Sequence, residues 1–316
     1  MERDKAEKLI SASENGLEPA GHNFGALPAE LSSFETARVA VLPVPYDSTS
    51  SYGTGSRRGP AAIIEASRHM ELYDNELDDL PARFGIHTVA ELEPDARGPA
   101  EMAERIENAV TRLIDAGKTV VSLGGDHSIT YGIVKAFAAK HPRLSVLQLD
   151  AHADLRDEYQ GTKYSHACTM RRVMEMVGRV SQVGTRSLSA GEASFIKSEG
   201  RRVHLASDWT GADAQVKEVL SELGTGPVYI TCDLDVFDPA FLPATGTPEP
   251  GGLSWWHVLR LLRAIAGRRT IVGFDVVELI PMPGTVAPDF LAAKLAYKVI
   301  GLICSKGTDD SSRSGR

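Results

Sequence analysis

The stretch "LQLDAHADLR", residues 147–156, decides how the chain is read. Its opening residues have the character of a buried strand, and Asp150, His152 and Asp154 then follow at alternate positions. Successive side chains of a strand point to opposite faces, so this reading puts all three on one face. Two carboxylates and an imidazole crowded together in an interior lose hydration, and the carboxylates repel each other. Some further partner must make the arrangement favourable.

Working outward, short β-branched runs alternate with helical patterns. From "RVAVLPVPYD" (38–47) onward, "TVVSL" (119–123), "LSVLQLD" (144–150), "VSQVG" (180–184), "RVHL" (202–205), "PVYITCDLD" (227–235) and "TIVGFDVVEL" (270–279) read as strands. Their near-continuous apolar character suits a parallel sheet covered on both faces. Between them, "EMAERIENAVTRLIDAG" (101–117) lines up Met102, Ile106, Ala109, Val110, Leu113 and Ile114 on one helical face, with Gly117 as its stop. "LSWWHVLRLLRAIAG" (253–267) has Ser254 as N-cap and Gly267 as its end. The alternation predicts an α/β fold, a three-layer α/β/α sandwich around a mainly parallel sheet. Residues 1–35 are expected to form an N-terminal arm or cover, 36–305 one catalytic domain, and 306–316 a disordered tail.

Composition narrows the class. The chain has 316 residues, 42% hydrophobic and 24% charged, which is ordinary globular usage. A net charge of −8 gives a nucleic-acid partner no electrostatic support and suits a cationic small substrate. No run approaches the roughly 18 apolar residues of a membrane span, and the N-terminus lacks a signal-peptide core. Cys168, Cys232 and Cys304 are odd in number and far apart, which points to a reducing compartment without a disulfide framework. The expectation is a cytoplasmic enzyme with no membrane association.

Three strand ends carry the chemistry. "TVVSLGGDHSIT" (119–130) brings Asp126 and His127, "LQLDAHADLR" brings Asp150, His152 and Asp154, and "ITCDLDVFDP" (230–239) brings Asp233 and Asp235. In open parallel sheets, ligands bind beyond the carboxyl ends of the strands. Buried charges are normally paired or metal-bound, and Arg156 is the only cation close to these motifs. Each motif alone has a plainer reading: Asp126 or Ser128 as a helix cap, D-x-H-x-D as a hydrogen-bonded network, D-x-D as a common strand end. "GGDHS" is no phosphate loop, since it lacks the Lys-Ser/Thr ending. Together they predict a metal site. Oxygen donors with two imidazoles and no thiolate suit Mn(II), with Mg, Zn, Ni, Co or Fe as alternatives. Six ligands exceed one tetrahedral zinc and suit two ions, whose charge of +4 would meet −4 from Asp150, Asp154, Asp233 and Asp235. Cys232 is expected to face the opposite side of its strand.

The motifs "GGDHS", "DAHADLR" and "DLDVFDPAFLPATGTPEPGGL" resemble the ureohydrolase (arginase/agmatinase) family, from about Val39 to Ile303. The resemblance implies two Mn(II) ions, one on His127, Asp150, Asp154 and Asp233, the other on Asp150, His152, Asp233 and Asp235. It further implies hydrolysis of a guanidino group to urea and an amine. Glu278, in "GFDVVELIP", would pair with the guanidinium, Asp154 would pass a proton to the leaving amine, and His166, in "YSHACTMRR", would shuttle protons. Thr245, in "PATGTPEPGG", would contact substrate. His22, His69, His87, His141, His204 and His257 are read as structural. Family members usually assemble as trimers or hexamers, so a homo-oligomer is expected.

Within the family, "MELYDNELDD", "TKYSHACTMRRV" and "VGTRSLSAGEASFI" are more similar to agmatinases than to arginases. Asp157 and Glu158, early in "DEYQGTKYS", would repel a substrate carboxylate and favour a distal ammonium. The expected reaction is therefore agmatine to putrescine and urea. Alternatives are a sister amidinohydrolase acting on guanidinobutyrate, aminopropyl-agmatine or arginine, a catalytically silent partner subunit, or a single-zinc deacetylase. Guanidinobutyrate would call for a cation such as Lys163 or Arg156 near the substrate tail. The complete set of two His and four Asp speaks against the last two.

Overall fold

A computed structural model describes residues 1–14 and 22–313 of the chain. Among the described residues, eight strands form one sheet: β1 Val39–Val44, β2 Ile86–Thr88, β3 Thr119–Gly124, β4 Ser145–Leu149, β5 Arg179–Thr185, β6 His204–Leu205, β7 Val228–Asp233 and β8 Ile271–Val277. Their order is β2-β1-β3-β8-β7-β4-β5-β6. Every neighbouring pair is parallel. The helices are α1 Arg3–Glu14, α2 Ala29–Ser32, α3 Gly59–Ser67, α4 Pro99–Asp115, α5 Ile129–Lys140, α6 Thr169–Met174, α7 Ala190–Ser198, α8 Asp213–Leu223, α9 Trp255–Arg268 and α10 Ala287–Arg313.

Strand alternation divides the core in two. Val39 and Val41 of β1, with Val228, Ile230 and Cys232 of β7, pack with α3, α8, α9 and α10. Ala40, Leu42 and Val44 of β1, with Tyr229 of β7, pack with α4, α5 and α6. The result is the expected three-layer sandwich, and Cys232 sits in the apolar layer opposite Asp233, as its position predicts. All three cysteines are free and buried.

The predicted helix ends largely hold. Gly117 adopts φ +74 just past α4 and donates to the Ile114 carbonyl. Ser254 caps α9 in a reciprocal box with His257, whose structural reading stands. α9 runs one residue past Gly267. The edge strand β2 was not anticipated. The N-terminal segment carries α1, with Ala6 fully buried and Arg3 donating to the Asp78 carbonyl. α10 runs to Arg313, into the stretch expected to be disordered; residues 314–316 lie outside the described residues. Among the described residues no helix is long and apolar enough to cross a membrane.

Candidate metal and active site

The four central strands, β3, β8, β7 and β4, bring their carboxyl ends side by side, although β4 and β7 are separated in sequence by two further strands. β3 leaves through Gly124 and Gly125 into Asp126 and His127; a Cβ on Gly125 would lie 2.0 Å from the Tyr46 carbonyl oxygen, so only glycine fits this turn. β4 stops at Leu149, short of the acids. Asp154 therefore does not join Asp150 and His152 by strand alternation; it reaches them from a left-handed residue, φ +53. Asp235 likewise lies in a 3-10 turn, Leu234–Val236, capped by Asp233 Oδ1, which accepts from the Asp235 N–H at 2.9 Å. The shared-face premise drawn from the sequence is corrected: turns, not pleats, collect these side chains.

The collection is tight. His127 Nδ1 lies 3.0 Å from Asp150 Oδ2, 3.0 Å from Asp154 Oδ2 and 3.6 Å from Asp233 Oδ2. His152 Nδ1 lies 2.9 Å from Asp235 Oδ2 and 3.6 Å from Asp150 Oδ1. Asp150 thus turns one oxygen to each imidazole. Donor atoms of His127, Asp150 and Asp233 fall within 4.8 Å of one another, as do those of Asp150, His152 and Asp235.

The charges are unbalanced without a cation. Burial acts to lower the pKa of both imidazoles but is outweighed by carboxylates, Asp150 and Asp154 at His127, Asp235 and Asp150 at His152, so both are raised well above the ordinary histidine value. Burial raises the Asp233 carboxyl, with Asp235 and Asp150 adding to it, and raises Asp154, with Asp150 adding. Asp150 goes the other way: against burial, His127 and His152 hold it below the usual carboxylate range. The cluster calls for positive charge.

The hydrogen bonds behind His127 point to where that charge belongs. Its Nε2 lies 2.8 Å from Thr231 Oγ1, and the Thr231 hydroxyl donates to Asp275 Oδ1 at 2.7 Å. With its only hydrogen spent on Asp275, Thr231 accepts from Nε2–H, which leaves Nδ1 of the neutral ring as a bare lone pair. That Nδ1 is buried, makes no hydrogen bond, and faces three carboxylates. A lone pair aimed at anionic oxygens is repulsive unless a proton or a metal cation stands between them, and the raised pKa of His127 expresses the same demand for positive charge at Nδ1. The donor set therefore fits divalent metal, with His127, Asp150 and Asp233 as one candidate group and Asp150, His152 and Asp235 as a second.

Beside this cluster lies a cleft with two compartments. The inner one, about 20 Å³, is lined by His127, His152, Asp154, Asp233, His166 and Glu278, with two loops closing it. Glu278 leaves β8 at φ +69, and its Oε1 accepts the His127 backbone N–H at 2.8 Å. Burial, reinforced by Asp126, pushes its carboxyl well above the ordinary value. The outer compartment, about 240 Å³, shares His152, Asp154 and His166 and adds Arg156 and Tyr159.

Three sequence expectations need correction. Thr245 is buried with an unpartnered hydroxyl and lines neither compartment; the wall is made by Gly246 and Thr247, because Gly246 closes against Gly53. Asp157 is bound by Arg172 at 2.6 Å and also faces Lys163 at 3.9 Å, so it does not wait for an ammonium. Glu158 is exposed and lines neither compartment. Sequence reasoning also missed Thr49, Thr231 and Asp275, which carry no metal-like spacing; the alternation of Thr231 with Asp233 on β7 was the available signal.

The arginase family model matches residues 37–301. The chain is 37% identical over 278 residues to an N(1)-aminopropylagmatine ureohydrolase of Synechocystis sp., covering 86% of this chain and 90% of that one. It is 37% identical over 273 residues to an agmatinase of Pyrococcus horikoshii, covering 83% and 90%. Among solved structures, the agmatine ureohydrolase of Thermoplasma volcanium superposes with a TM-score of 0.83 at 31% identity, covering 94% of this chain and 99% of that one. Matched along its whole sheet, and with acids and imidazoles that could hold metal gathered at the strand ends, the chain belongs to the arginase family and is a ureohydrolase.

Proposed function

We propose that the protein hydrolyses agmatine to putrescine and urea, using two Mn(II) ions. The observation that carries the reading is the buried Glu278 carboxylate, raised in pKa by burial, lining the inner compartment beside the His–Asp cluster. A planar guanidinium supplies the charge that Glu278 lacks and matches a carboxylate through paired N–H bonds. The chemistry that divalent cations supply at such donors is activation of water near neutral pH. Glu278 would aim the guanidinium carbon toward the cluster. Asp154, lining both compartments, would take up the proton and pass it to the leaving amine. His166, lining both as well, would exchange protons with solvent. In the same reading 36–305 is one catalytic domain, working in the cytoplasm as a homo-oligomer, trimer or hexamer.

A second reading, N(1)-aminopropylagmatine, is favoured by the outer compartment of about 240 Å³, which would take a longer amine tail. It is also favoured by the name of the Synechocystis relative. Arg156, the cation lining that compartment, makes 4-guanidinobutyrate a necessary control. Urea release from agmatine, aminopropylagmatine, arginine and guanidinobutyrate after manganese loading tests the proposal. Turnover of agmatine above the others supports it; preference for arginine or guanidinobutyrate removes the substrate assignment.

A further inference from the structure

We infer that Asp126, acting through the Thr49 hydroxyl, is a positioning residue for His166. It fixes the ring as the tautomer whose Nδ1 carries the hydrogen and leaves Nε2 as the nitrogen that exchanges protons in the cleft. The role assigned to His166 rests on the proposed function; the tautomer does not.

Asp126 is fully buried, and each of its partners is a donor. Oδ1 accepts from the Ser128 backbone N–H at 3.0 Å and from the Ser128 hydroxyl. Oδ2 accepts from the Thr49 backbone N–H at 2.8 Å and from Thr49 Oγ1 at 2.9 Å. The one hydrogen of the Thr49 hydroxyl is therefore committed to Asp126, and its oxygen can only accept from elsewhere. Two groups of His166 meet it: the backbone N–H at 3.0 Å and Nδ1 at 3.2 Å. An oxygen with no hydrogen to give requires Nδ1 to be the donor, so in the neutral ring the lone pair lies on Nε2. Tyr159 holds the ring from another side, its plane at 89° to the imidazole with centroids 5.8 Å apart, and the Arg156 guanidinium lies 4.8 Å from the Tyr159 centroid. Residues 49, 126 and 166 come from three distant parts of the chain, so no local turn produces this geometry. Asp275–Thr231–His127 repeats it: a buried acid, a threonine relay and an imidazole whose far nitrogen is freed. The turn carrying a proposed metal-binding histidine thus also carries the acid that orients the proposed proton shuttle.

The test compares the wild type with Thr49→Val, which removes the hydroxyl at nearly constant volume, and Thr49→Ser, which retains it. Thr49→Ala replaces the valine variant should that one fail to fold. In magnesium-loaded, diamagnetic protein, ¹⁵N NMR of His166 is expected to show the Nδ1–H tautomer in the wild type and the serine variant, and a shift toward the other tautomer without the hydroxyl. In manganese-loaded protein, loss of the hydroxyl is expected to lower kcat by about tenfold with KM nearly unchanged and metal content intact, since a positioned acid–base group contributes ~10²–10⁴ in rate. An unchanged tautomer in the valine or alanine variant overturns the inference, as does a serine variant that loses as much kcat as valine. If no guanidine releases urea from the wild type, the functional reading fails while the NMR arm still decides the tautomer.

Discussion

Glu278 Oε1 accepts the backbone N–H of His127 at 2.8 Å, so the carboxylate proposed to hold the guanidinium is tied to the backbone of a residue proposed to hold metal. Glu278 holds this position at φ +69, a region that costs a non-glycine residue ~1–3 kcal/mol. Backbone strain and burial that raises the pKa meet at this one carboxylate, which is the combination the proposed role of Glu278 calls for.

Glu278→Gln keeps an oxygen for the His127 N–H and removes the charge. Urea formation is expected to fall by ~100-fold or more, as when a preorganised electrostatic partner is lost. Metal content should be unchanged and the melting temperature of the metal-free protein equal or higher. Elemental analysis beside urea assays checks this; a variant that keeps wild-type turnover would show that guanidinium binding does not depend on that charge.

Thr231→Val cuts the link between Asp275 and His127 while leaving every metal donor in place. Loss of such an outer partner typically costs ~10–100-fold in metal affinity. Chelator competition should find at least one of the two ions weakened to that extent, and Thr231→Ser restored. Equal affinity in wild type and valine variant would mean that the ring holds its orientation without the hydroxyl.

The sheet and the acids were legible because both leave periodic marks: apolar runs for strands buried on two faces, and D-x-H-x-D, D-x-D and GGDHS where those runs stop. Cys232 and Asp233 sit on opposite faces as neighbours on a strand should. What failed was the extension of strand logic past the strand. β4 ends at Leu149, so Asp154 arrives through a left-handed residue, and Asp235 through a 3-10 turn. Their convergence was expected for a reason that holds only in part. Thr49 and Asp275 were illegible because a lone threonine or a strand aspartate has no pattern until the fold sets a partner beside it. Asp157 misled for the opposite reason: its charge is visible in sequence, whereas Arg172, which neutralises it, lies 15 residues away.

Away from the site, Glu222 on α8 joins His204 of β6 at 3.0 Å and accepts from the Ser181 hydroxyl of β5. Burial acts to raise the Glu222 carboxyl but is outweighed by His204 and Ser181, so its pKa is lowered. A depressed folded-state pKa contributes stability that is present above the unfolded value, about 4.3, and is lost as pH falls through the folded value. The difference in melting temperature between wild type and Glu222→Gln should therefore be largest near neutrality and shrink on acidification. A difference that is constant with pH would assign the effect to packing instead of charge.

Gly53 and Gly246 close the inner compartment backbone to backbone: a Cβ built on Gly53 would lie 2.8 Å from both Gly246 Cα and its carbonyl oxygen. No side chain can rotate away to relieve that contact, so Gly53→Ala has to move one of the two loops. Both glycines line the inner compartment, so its width depends on their separation. Forced overpacking typically costs ~1–3 kcal/mol, and a displacement near 1 Å at a reacting geometry can cost about 100-fold in rate. The variant is expected to lose at least about tenfold in kcat/KM with its metal content intact, since no proposed ligand sits on either loop. Gly267→Ala supplies the contrast, because a Cβ there meets nothing within 4 Å, within helix α9. It should keep full activity and gain ~0.5–1 kcal/mol of stability from reduced backbone freedom in the unfolded chain. Equal kcat/KM in Gly53→Ala and wild type would show that the two loops stand farther apart in the working enzyme, and that the slot is not what selects a flat guanidinium.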